Sequence, residues 1–257
     1  MTTEEYRAAP GVNFSSLKHI LRSPAYYLAS LTAHREGTID MLLGTLVHKY
    51  LLEGGTTPYV VKPEGMNFAT KEGKAWRSEQ TLPILTQEES ARERGMIEAL
   101  ESDEFSKAAL ARCPQRERPI FFSYRGVLCK ALLDACGIVD GRWTILDLKK
   151  TQDARPAAWG KNALNYDYCF QAAFYRAALA SAEELDYAPD FFWQVVEDSI
   201  APTVVHYPLT DVGAQIGQRR MDAAIDLLLK CQESGEWPGY GKYLEPIWPS
   251  WALADSA

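Results

Sequence analysis

The sequence has few cysteines, and their spacing does not suggest metal ligands. None of the five forms a Cys-x-x-Cys pair, which argues against a zinc ribbon and, with the odd count, against a disulfide framework. An iron–sulfur cluster needs four thiolates brought together, and the spacing gives no sign of that. We therefore expect buried, reduced thiols at Cys113, Cys129, Cys136, Cys169 and Cys231.

Long hydrophobic runs, internal repeats and low-complexity segments are also missing. No apolar run approaches the roughly 18 residues that span a bilayer, and residues 1–10 lack the hydrophobic stretch of a secretory signal. We expect a cytoplasmic protein without membrane contacts. At 257 residues, one elaborated domain is favoured over two. Its predicted parts are a mainly helical segment (1–112), a sheet core with a closing helix (113–235) and an irregular tail (236–257).

Positive charge is in deficit. The chain has 27 Lys and Arg against 34 Asp and Glu, a formal net charge of −7. This balance counts against a protein that coats nucleic acid nonspecifically, because neutralising phosphates demands a basic surface. It remains compatible with an enzyme that has a local basic channel on an acidic body, and acidic residues that bind a cation would add to the deficit.

Hydrophobic periodicity predicts helices in the first half and strands in the middle. The predicted helices are a short one capped by Ser15 or Ser16 and ending before Pro24, then 26–31, 38–53, 71–79, 87–100, 164–180 and 211–232. The predicted strands are 59–61, 119–124, 127–135, 143–149, 191–196 and 203–207, with turns at 125–126 and 140–141. This order implies an α/β fold with a central mixed sheet covered by helices. The aromatic tail, with Trp237, Trp248 and Trp251, is expected to pack onto it.

Charged side chains interrupt two of the apolar strands. Asp134 lies near the end of one strand, and Asp147 and Lys149 point to the same side of the next because strand side chains alternate. Burying a carboxylate is costly unless it is paired or binds a cation. Two such acids with a lysine suit a Mg²⁺ site for phosphodiester hydrolysis, with the Leu148 carbonyl as a further oxygen ligand. Taken alone, however, Asp-x-Lys is common by chance and equally fits an ion pair.

Two further motifs accompany this triplet. The segment Gly44-Thr45-Leu46-Val47-His48 precedes it, and Gln171-Ala172-Ala173-Phe174-Tyr175 follows it. Together the motifs resemble those of the PD-(D/E)xK nucleases, in the branch that includes RecB-type domains, Cas4 proteins and RecE-like exonucleases. RecE-like exonucleases (exodeoxyribonuclease VIII type) fit best, since the segments at 14–17, 23–27 and 236–238 also resemble theirs. The cysteines of Cas4 have no counterpart, and Asp147 stands where many relatives use Glu.

The resemblance implies roles for individual residues. Asp134, Asp147, His48 and the Leu148 carbonyl would hold Mg²⁺, for which Mn²⁺ is expected to substitute, and Lys149 would be the catalytic lysine. Gln171 and Tyr175, one helical turn apart, would touch DNA or brace the site. By periodicity alone, His48 is a core histidine and Tyr175 a core tyrosine. Glu117 has two interpretations: an extra acid of the site, or, preferred here, part of the solvated charge run 116–118. Glu53 is ambiguous in the same way.

Candidate DNA contacts come from local groups. Lys150 continues past the metal site, and Trp76 lies on a helix with Lys71, Lys74 and Arg77, where its ring would stack or wedge. The helix start at Ser15 and Ser16 is a candidate 5′-phosphate pocket, because helix N-terminal amides favour anions. Each of these residues, taken alone, also fits ordinary solvated surface.

The resemblance further implies a Mg²⁺-dependent 5′→3′ exonuclease of phage type that acts on double-stranded DNA ends. It would leave 3′ overhangs for recombination by strand annealing, work as a homo-oligomeric ring (a trimer in preference to a tetramer) and serve a RecT- or Bet-type annealing protein. Two alternatives stay open: a RecB- or Cas4-type nuclease acting on single-stranded or flap DNA, and a catalytically silent module that binds DNA ends.

Overall fold

The computed structural model of the protein describes residues 1–33, 37–55, 58–242 and 244–247. Its first half is helical and carries one small parallel two-stranded sheet. The helices are α1 (Thr3–Ala8), α2 (Phe14–Leu17), a 3₁₀ helix (Lys18–Leu21), α3 (Pro24–Ser30), α4 (Ile39–Glu53), α5 (Lys71–Glu79), α6 (Gln87–Ser102) and α7 (Glu104–Arg112). The small sheet pairs β1 (Val60–Val61) with β2 (Ile84–Leu85).

The second half forms a five-stranded mixed sheet with its strands in chain order. The strands are β3 (Gln115–Tyr124), β4 (Val127–Val139), β5 (Arg142–Thr151), β6 (Asp190–Glu197) and β7 (Val204–Pro208). All neighbours are antiparallel except β5 and β6, which are parallel. The crossover between these two contains α8 (Pro156–Asn165) and α9 (Tyr168–Ala182), and α10 (Asp211–Ser234) follows the sheet. The predicted mixed α/β architecture is therefore confirmed.

Apolar side chains alternate along β5 and bury both faces of the sheet. Ile145 belongs to the main core, which includes residues of α2, α9 and α10. Leu146 and Leu148 contact the opposite layer, built by α4, α6 and α7. A Cβ on Gly217 of α10 would come within 2.0 Å of the Cys169 carbonyl oxygen, so only glycine allows α10 to lie this close to α9. All five cysteines are buried and free, as expected.

The helix boundaries correct two predictions. Residues 164–180 are not one helix, because the chain breaks at Tyr166 and Asp167, and Asp167 adopts a left-handed conformation with φ of 63°. The N-terminal cap of α2 is Asn13 rather than Ser15 or Ser16. Its Oδ1 accepts a hydrogen bond from the Ser16 amide at 2.8 Å, while the Ser16 hydroxyl donates back to the Asn13 carbonyl. Helices α1 and α7, most of α8, and strand β2 were not predicted.

The beginning of the tail packs onto the body, since the Trp237 ring stacks on Tyr27 with centroids 5.7 Å apart. Trp248 and Trp251, which were expected to do the same, lie outside the described residues. Among the helices that the structure describes, none combines the length and the apolar character needed to cross a bilayer.

Candidate active site

Three acids occupy one row across adjacent strands, at Glu117 of β3, Asp134 of β4 and Asp147 of β5. The β3–β4 ladder keeps its register on both sides of positions 117 and 134 but does not pair there. The β4–β5 ladder begins at Ala135 opposite Leu146, so the next position aligns Asp134 with Asp147. We call these three residues the acid row. Pairing between β3 and β4 is therefore interrupted where the acid row crosses these two strands.

The backbone is irregular at the same place. Glu117 has a positive φ of 45°, which is uncommon for a residue with a side chain. Leu133 and Ala135 are two positions apart yet pack in different buried clusters, so side-chain alternation changes phase at Asp134. Asp134 Oδ2 accepts a hydrogen bond from the Leu148 amide at 2.9 Å. The irregularity thus turns Asp134 out of regular alternation, and its carboxylate gains a backbone donor on β5.

Helix α4 brings His48 to the acid row. The helix is capped by Thr38, whose side chain accepts from the Met41 amide, and it ends at Gly54 with φ of 72°. His48 Nε2 lies 3.0 Å from Asp134 Oδ2, and Nδ1 lies 3.6 Å from Glu117 Oε1. Possible ligand atoms of His48, Glu117 and Asp134 all lie within 4.8 Å of one another. A position of His48 on a helix facing the site was expected.

The location of Glu117 corrects the preferred interpretation of the 116–118 run as solvated surface. Its side chain is only 22% exposed and turns toward His48. Glu53, the other ambiguous acid, is exposed at the end of α4. Of these two acids, only Glu117 therefore belongs to the cluster.

Asp147 and Lys149 lie on the α9 side of the sheet. The Asp147 carboxylate is fully buried and forms an ion pair with the Lys149 ammonium. The same ammonium lies 5.0 Å from the centroid of the Tyr168 ring, at the start of α9. Lys149 is thus held between a carboxylate and an aromatic face, an arrangement that keeps a buried cation in place.

The electrostatics of the cluster follow from its burial. Burial raises the pKa of Asp147 to about 6, although Lys149 opposes the rise. Burial likewise raises the pKa of Glu117 to about 7, while His48 opposes it. Burial would lower the pKa of His48, but the Asp134 carboxylate outweighs it and raises this pKa to about 9. His48 is therefore mostly protonated near neutral pH in the metal-free site, and it donates to Asp134.

The acid row has the donor set of a hard divalent cation. Oδ1 of Asp147 and Oε1 of Glu117 are buried without a hydrogen-bond donor among the described residues, whereas Oδ2 of Asp147 contacts the Lys149 ammonium. Such oxygens are costly to bury unless something positive satisfies them. Carboxylate oxygens with one imidazole nitrogen suit Mg²⁺ or Mn²⁺. The residues present therefore fit a divalent metal ion. The predicted contribution of the Leu148 carbonyl stays a prediction.

Gln171 and Tyr175 lie one turn apart on α9, as predicted, close to the acids. Gln171 is buried and lines the cavity of the site. Burial raises the pKa of the Tyr175 phenol well above 10, and the charges of Asp134 and Asp147 raise it further. Tyr175 consequently remains a neutral hydroxyl near the two acids, and Gln171 forms a hydrogen bond with it.

Two adjoining cavities, of about 580 and 590 Å³, open beside Lys149. They share Met41, Gly44, Lys150 and Tyr168 as lining residues. The first also contains His48, Lys149 and Gln171, together with the predicted phosphate-pocket residue Ser15. None of the three acids is among the described residues that line either cavity, so the site borders this space through His48, Lys149 and Gln171.

The other predicted DNA contacts are engaged elsewhere. The Lys150 ammonium lies 2.7 Å from the buried Asp198 carboxylate and 3.3 Å from Asp40, although it still lines both cavities. Trp76 stacks on Phe68 with centroids 6.1 Å apart. Neither Trp76 nor Ser16 is among the described residues that line the two cavities. Roles in DNA binding for these residues stay predictions.

Sequence reasoning did not single out Tyr168, which contacts Lys149 and borders both cavities. Its signal was its position three residues before Gln171 and seven before Tyr175, on one face of a helix. The predicted helix start at 164 obscured it, because α9 begins at Tyr168 itself.

Comparisons with known proteins agree with this geometry. The sequence profile of a family described as "PDDEXK-like domain of unknown function (DUF3799)" matches residues 13–245. A crystal structure of a "Putative exonuclease" from Eubacterium rectale is similar, with a TM-score of 0.65 and 16% identity over 100% of this chain and 98% of that chain. The structure of SSO0001 reaches a TM-score of 0.33 and 14% identity over 73% of this chain and 85% of that one, too low to support an argument. No curated protein matches the sequence.

Proposed function

The chain belongs to the PDDEXK-like domain family DUF3799, and on this premise we propose that it is a metal-dependent DNA nuclease. The observation that carries the proposal is the acid row with Lys149 beside it. Three carboxylates lie on one row of adjacent strands with a lysine beside them, and both Lys149 and His48 border an open cavity. A purely structural ion pair would need neither the buried acceptors without donors nor the open space.

The metal would be held by Asp134 and Asp147, with Glu117 and His48 completing the set. Mg²⁺ is proposed as the resident ion because oxygen donors dominate, and Mn²⁺ as its substitute. When bound, the ion would polarise a phosphate oxygen and lower the pKa of a water molecule. With this donor set, a chelator of divalent cations such as EDTA is expected to inhibit the enzyme.

Lys149 would stabilise charge rather than abstract a proton. Burial lowers its pKa, but the Asp147 and Asp134 carboxylates outweigh burial and raise it, so the ammonium stays protonated. Held by Asp147 and Tyr168, it would donate to a non-bridging phosphate oxygen on which negative charge develops. Tyr175 and Gln171, both neutral, would keep the acids apart from the main core and orient the bound strand.

In finer terms, we propose a RecE-like 5′→3′ exonuclease that degrades one strand from a double-stranded end and leaves a 3′ overhang. The motif order in the sequence supports this choice, and so does the description of the Eubacterium rectale protein as an exonuclease. The same proposal includes a role in phage-type recombination with a RecT- or Bet-type annealing protein. It also includes a homo-oligomeric ring around DNA, a trimer in preference to a tetramer. The mass of the purified protein in solution would test the ring.

Digestion of end-labelled DNA tests the activity. We expect the parent to release nucleotides from the labelled 5′ end of a duplex with Mg²⁺ and to stop when EDTA is added. Asp147→Ala and Lys149→Ala should lose at least about a hundredfold in rate. The control Asp186→Ala, which removes an exposed acid that lines neither cavity, should not.

Two results would contradict parts of the proposal. If both site variants digest DNA at the parent rate, the assignment of Asp147 and Lys149 to the active site is wrong. Loss of label only from 3′ ends, or cleavage of single strands and flaps alone, would replace the 5′→3′ duplex polarity with the RecB- or Cas4-type alternative. A parent that binds DNA ends but never cleaves them would indicate the silent module.

A further inference from the structure

The junction between α8 and α9 carries a stack of aromatic rings, of which the proposed chemistry uses only Tyr168. The Tyr166 ring lies 5.7 Å from that of Tyr168 at 26°, and Tyr168 lies 5.6 Å from Trp159 at 25°. Trp159 in turn stacks on Tyr207 at 5.6 Å and 14°. Trp159 is buried, whereas Tyr166 is 56% exposed. The stack thus runs from the core to the surface and ends in an exposed ring.

The junction holds this outer ring in a defined place. Tyr166 ends α8, and its amide donates to the Asn162 carbonyl at 2.9 Å. The next residue, Asp167, has φ of 63°, and its carboxylate pairs with Arg220 of α10 at 2.5 Å. The Tyr166 ring therefore packs against Tyr168, and contacts of its own backbone and of Asp167 fix the backbone around it. Little conformational entropy is lost when a ligand ring stacks on it.

The stack is continuous with the candidate active site. Tyr168 contacts Lys149 and lines both cavities, while Tyr166 lines the second of them together with Lys150. One ring therefore separates the exposed face of Tyr166 from the lysine of the site. A base stacked on Tyr166 would belong to a nucleotide a short distance along the strand from the phosphate at Lys149.

The other side of the junction provides positive charge. Asn165 and Asp167 border a third cavity of about 330 Å³, whose lining includes the cations Lys18 and Arg22, and also Arg220, which is paired with Asp167. Exposed aromatic rings for bases next to cations for phosphates are the combination that binds single-stranded nucleic acid. A base pair inside a duplex is already stacked on both faces, so an exposed ring favours an unpaired base.

We propose that Tyr166 is a stacking platform for an unpaired base of the strand that enters the active site. The inference rests on the proposed nuclease function and specifies its substrate there as a locally single-stranded segment of DNA. Tyr166 is a positioning residue, because it would set the register of the strand relative to Lys149 without touching the reacting phosphate.

Binding measured without turnover tests the platform. The full chain in EDTA is titrated with a fluorescent single-stranded dodecamer, as parent, Tyr166→Ala, Tyr166→Phe and the control Phe105→Ala, whose ring is 54% exposed but lines none of the described cavities. We expect the Ala variant to bind about tenfold more weakly, equivalent to about 1.4 kcal/mol and typical of one stacked base. The Phe variant should stay within about twofold of the parent, and the control should not change.

An abasic scan separates stacking from a general effect on the fold. The same dodecamer is made with one abasic site at each position in turn. For the parent, an abasic site at one or more positions should weaken binding about tenfold relative to the intact dodecamer. For Tyr166→Ala, an abasic site at the same position should weaken binding little further. Equal abasic profiles in the two proteins, or equal affinities for the intact strand, would overturn the inference. Because EDTA removes catalysis from this assay, a failed platform is distinguishable from a failed nuclease, which the digestion assay detects.

Discussion

The Glu117→Gln substitution should make the metal-free protein more stable and its metal site weaker. Glu117 is a half-buried acid beside Asp134, and burial raises its pKa from 4.5 to about 7. A group with a raised carboxyl pKa destabilises the fold wherever the unfolded chain has already lost the proton. The contribution of Glu117 to the stability of the parent should consequently fall as pH rises from about 4.5 to 7 and then level off.

The magnitude follows from the size of this rise. At about 1.4 kcal/mol for each pH unit, the rise corresponds to about 3 kcal/mol, which we reduce to about 2 kcal/mol because solvent reaches part of the side chain. Glutamine keeps the shape and cannot ionise, so the gain should be absent at pH 4.5 and complete at pH 8. In the variant, His48 still has its ion pair with Asp134, at 3.0 Å in the parent, so protonated His48 should stay largely stabilised. For a chain of this length, the melting temperature should rise by about 4–8 °C.

Thermal melting in EDTA at pH 5 and pH 8 measures the effect, with the exposed acid variant Glu98→Gln as the control. Mg²⁺ titration by calorimetry should then show an affinity at least about tenfold weaker than that of the parent, because the cluster has lost a charge. A variant that melts at or below the parent temperature at pH 8, or one whose gain does not depend on pH, would refute the assignment of Glu117 to the acid row.

Two further predictions concern the structure around the site. Lys130→Met should lower the free energy of unfolding by about 3 kcal/mol, because the buried ammonium donates to the carbonyls of residues 6, 7 and 9 and nothing would replace it; a urea midpoint equal to that of the parent would contradict this. Asp198→Asn should cost about 3 kcal/mol as well, since its buried carboxylate pairs with Arg92 at 2.6 Å and Lys150 at 2.7 Å. The same urea titration checks it, and a loss below about 1 kcal/mol would show that the two cations find other partners.

Local patterns explain why part of the site was predictable. Asp147 and Lys149 share a side of β5 because strand side chains alternate, and this needs no knowledge of the rest of the fold. Hydrophobic periodicity likewise predicted a helix over 38–53, and the structure has α4 at Ile39–Glu53. Features that depend on a few neighbouring residues were therefore accessible from the sequence.

Glu117 and the α8–α9 junction were not accessible in this way. The place of Glu117 depends on the register of β3 against β4 and on a positive φ at a residue whose type does not suggest one. The helix break at Tyr166 and Asp167 is likewise made by a left-handed aspartate rather than by the glycine or proline that would mark it. Both depend on tertiary contacts, which override local propensity.

A Mn²⁺ soak of crystals of the protein tests the central claim most directly. The anomalous signal of manganese identifies the ion without reference to catalysis, and the account predicts a peak bounded by the carboxylates of Asp134 and Asp147, with His48 or Glu117 as a further neighbour. The same soak of Asp147→Ala should lose the peak. A strong manganese peak elsewhere on the chain, with none at the acid row, would contradict the account.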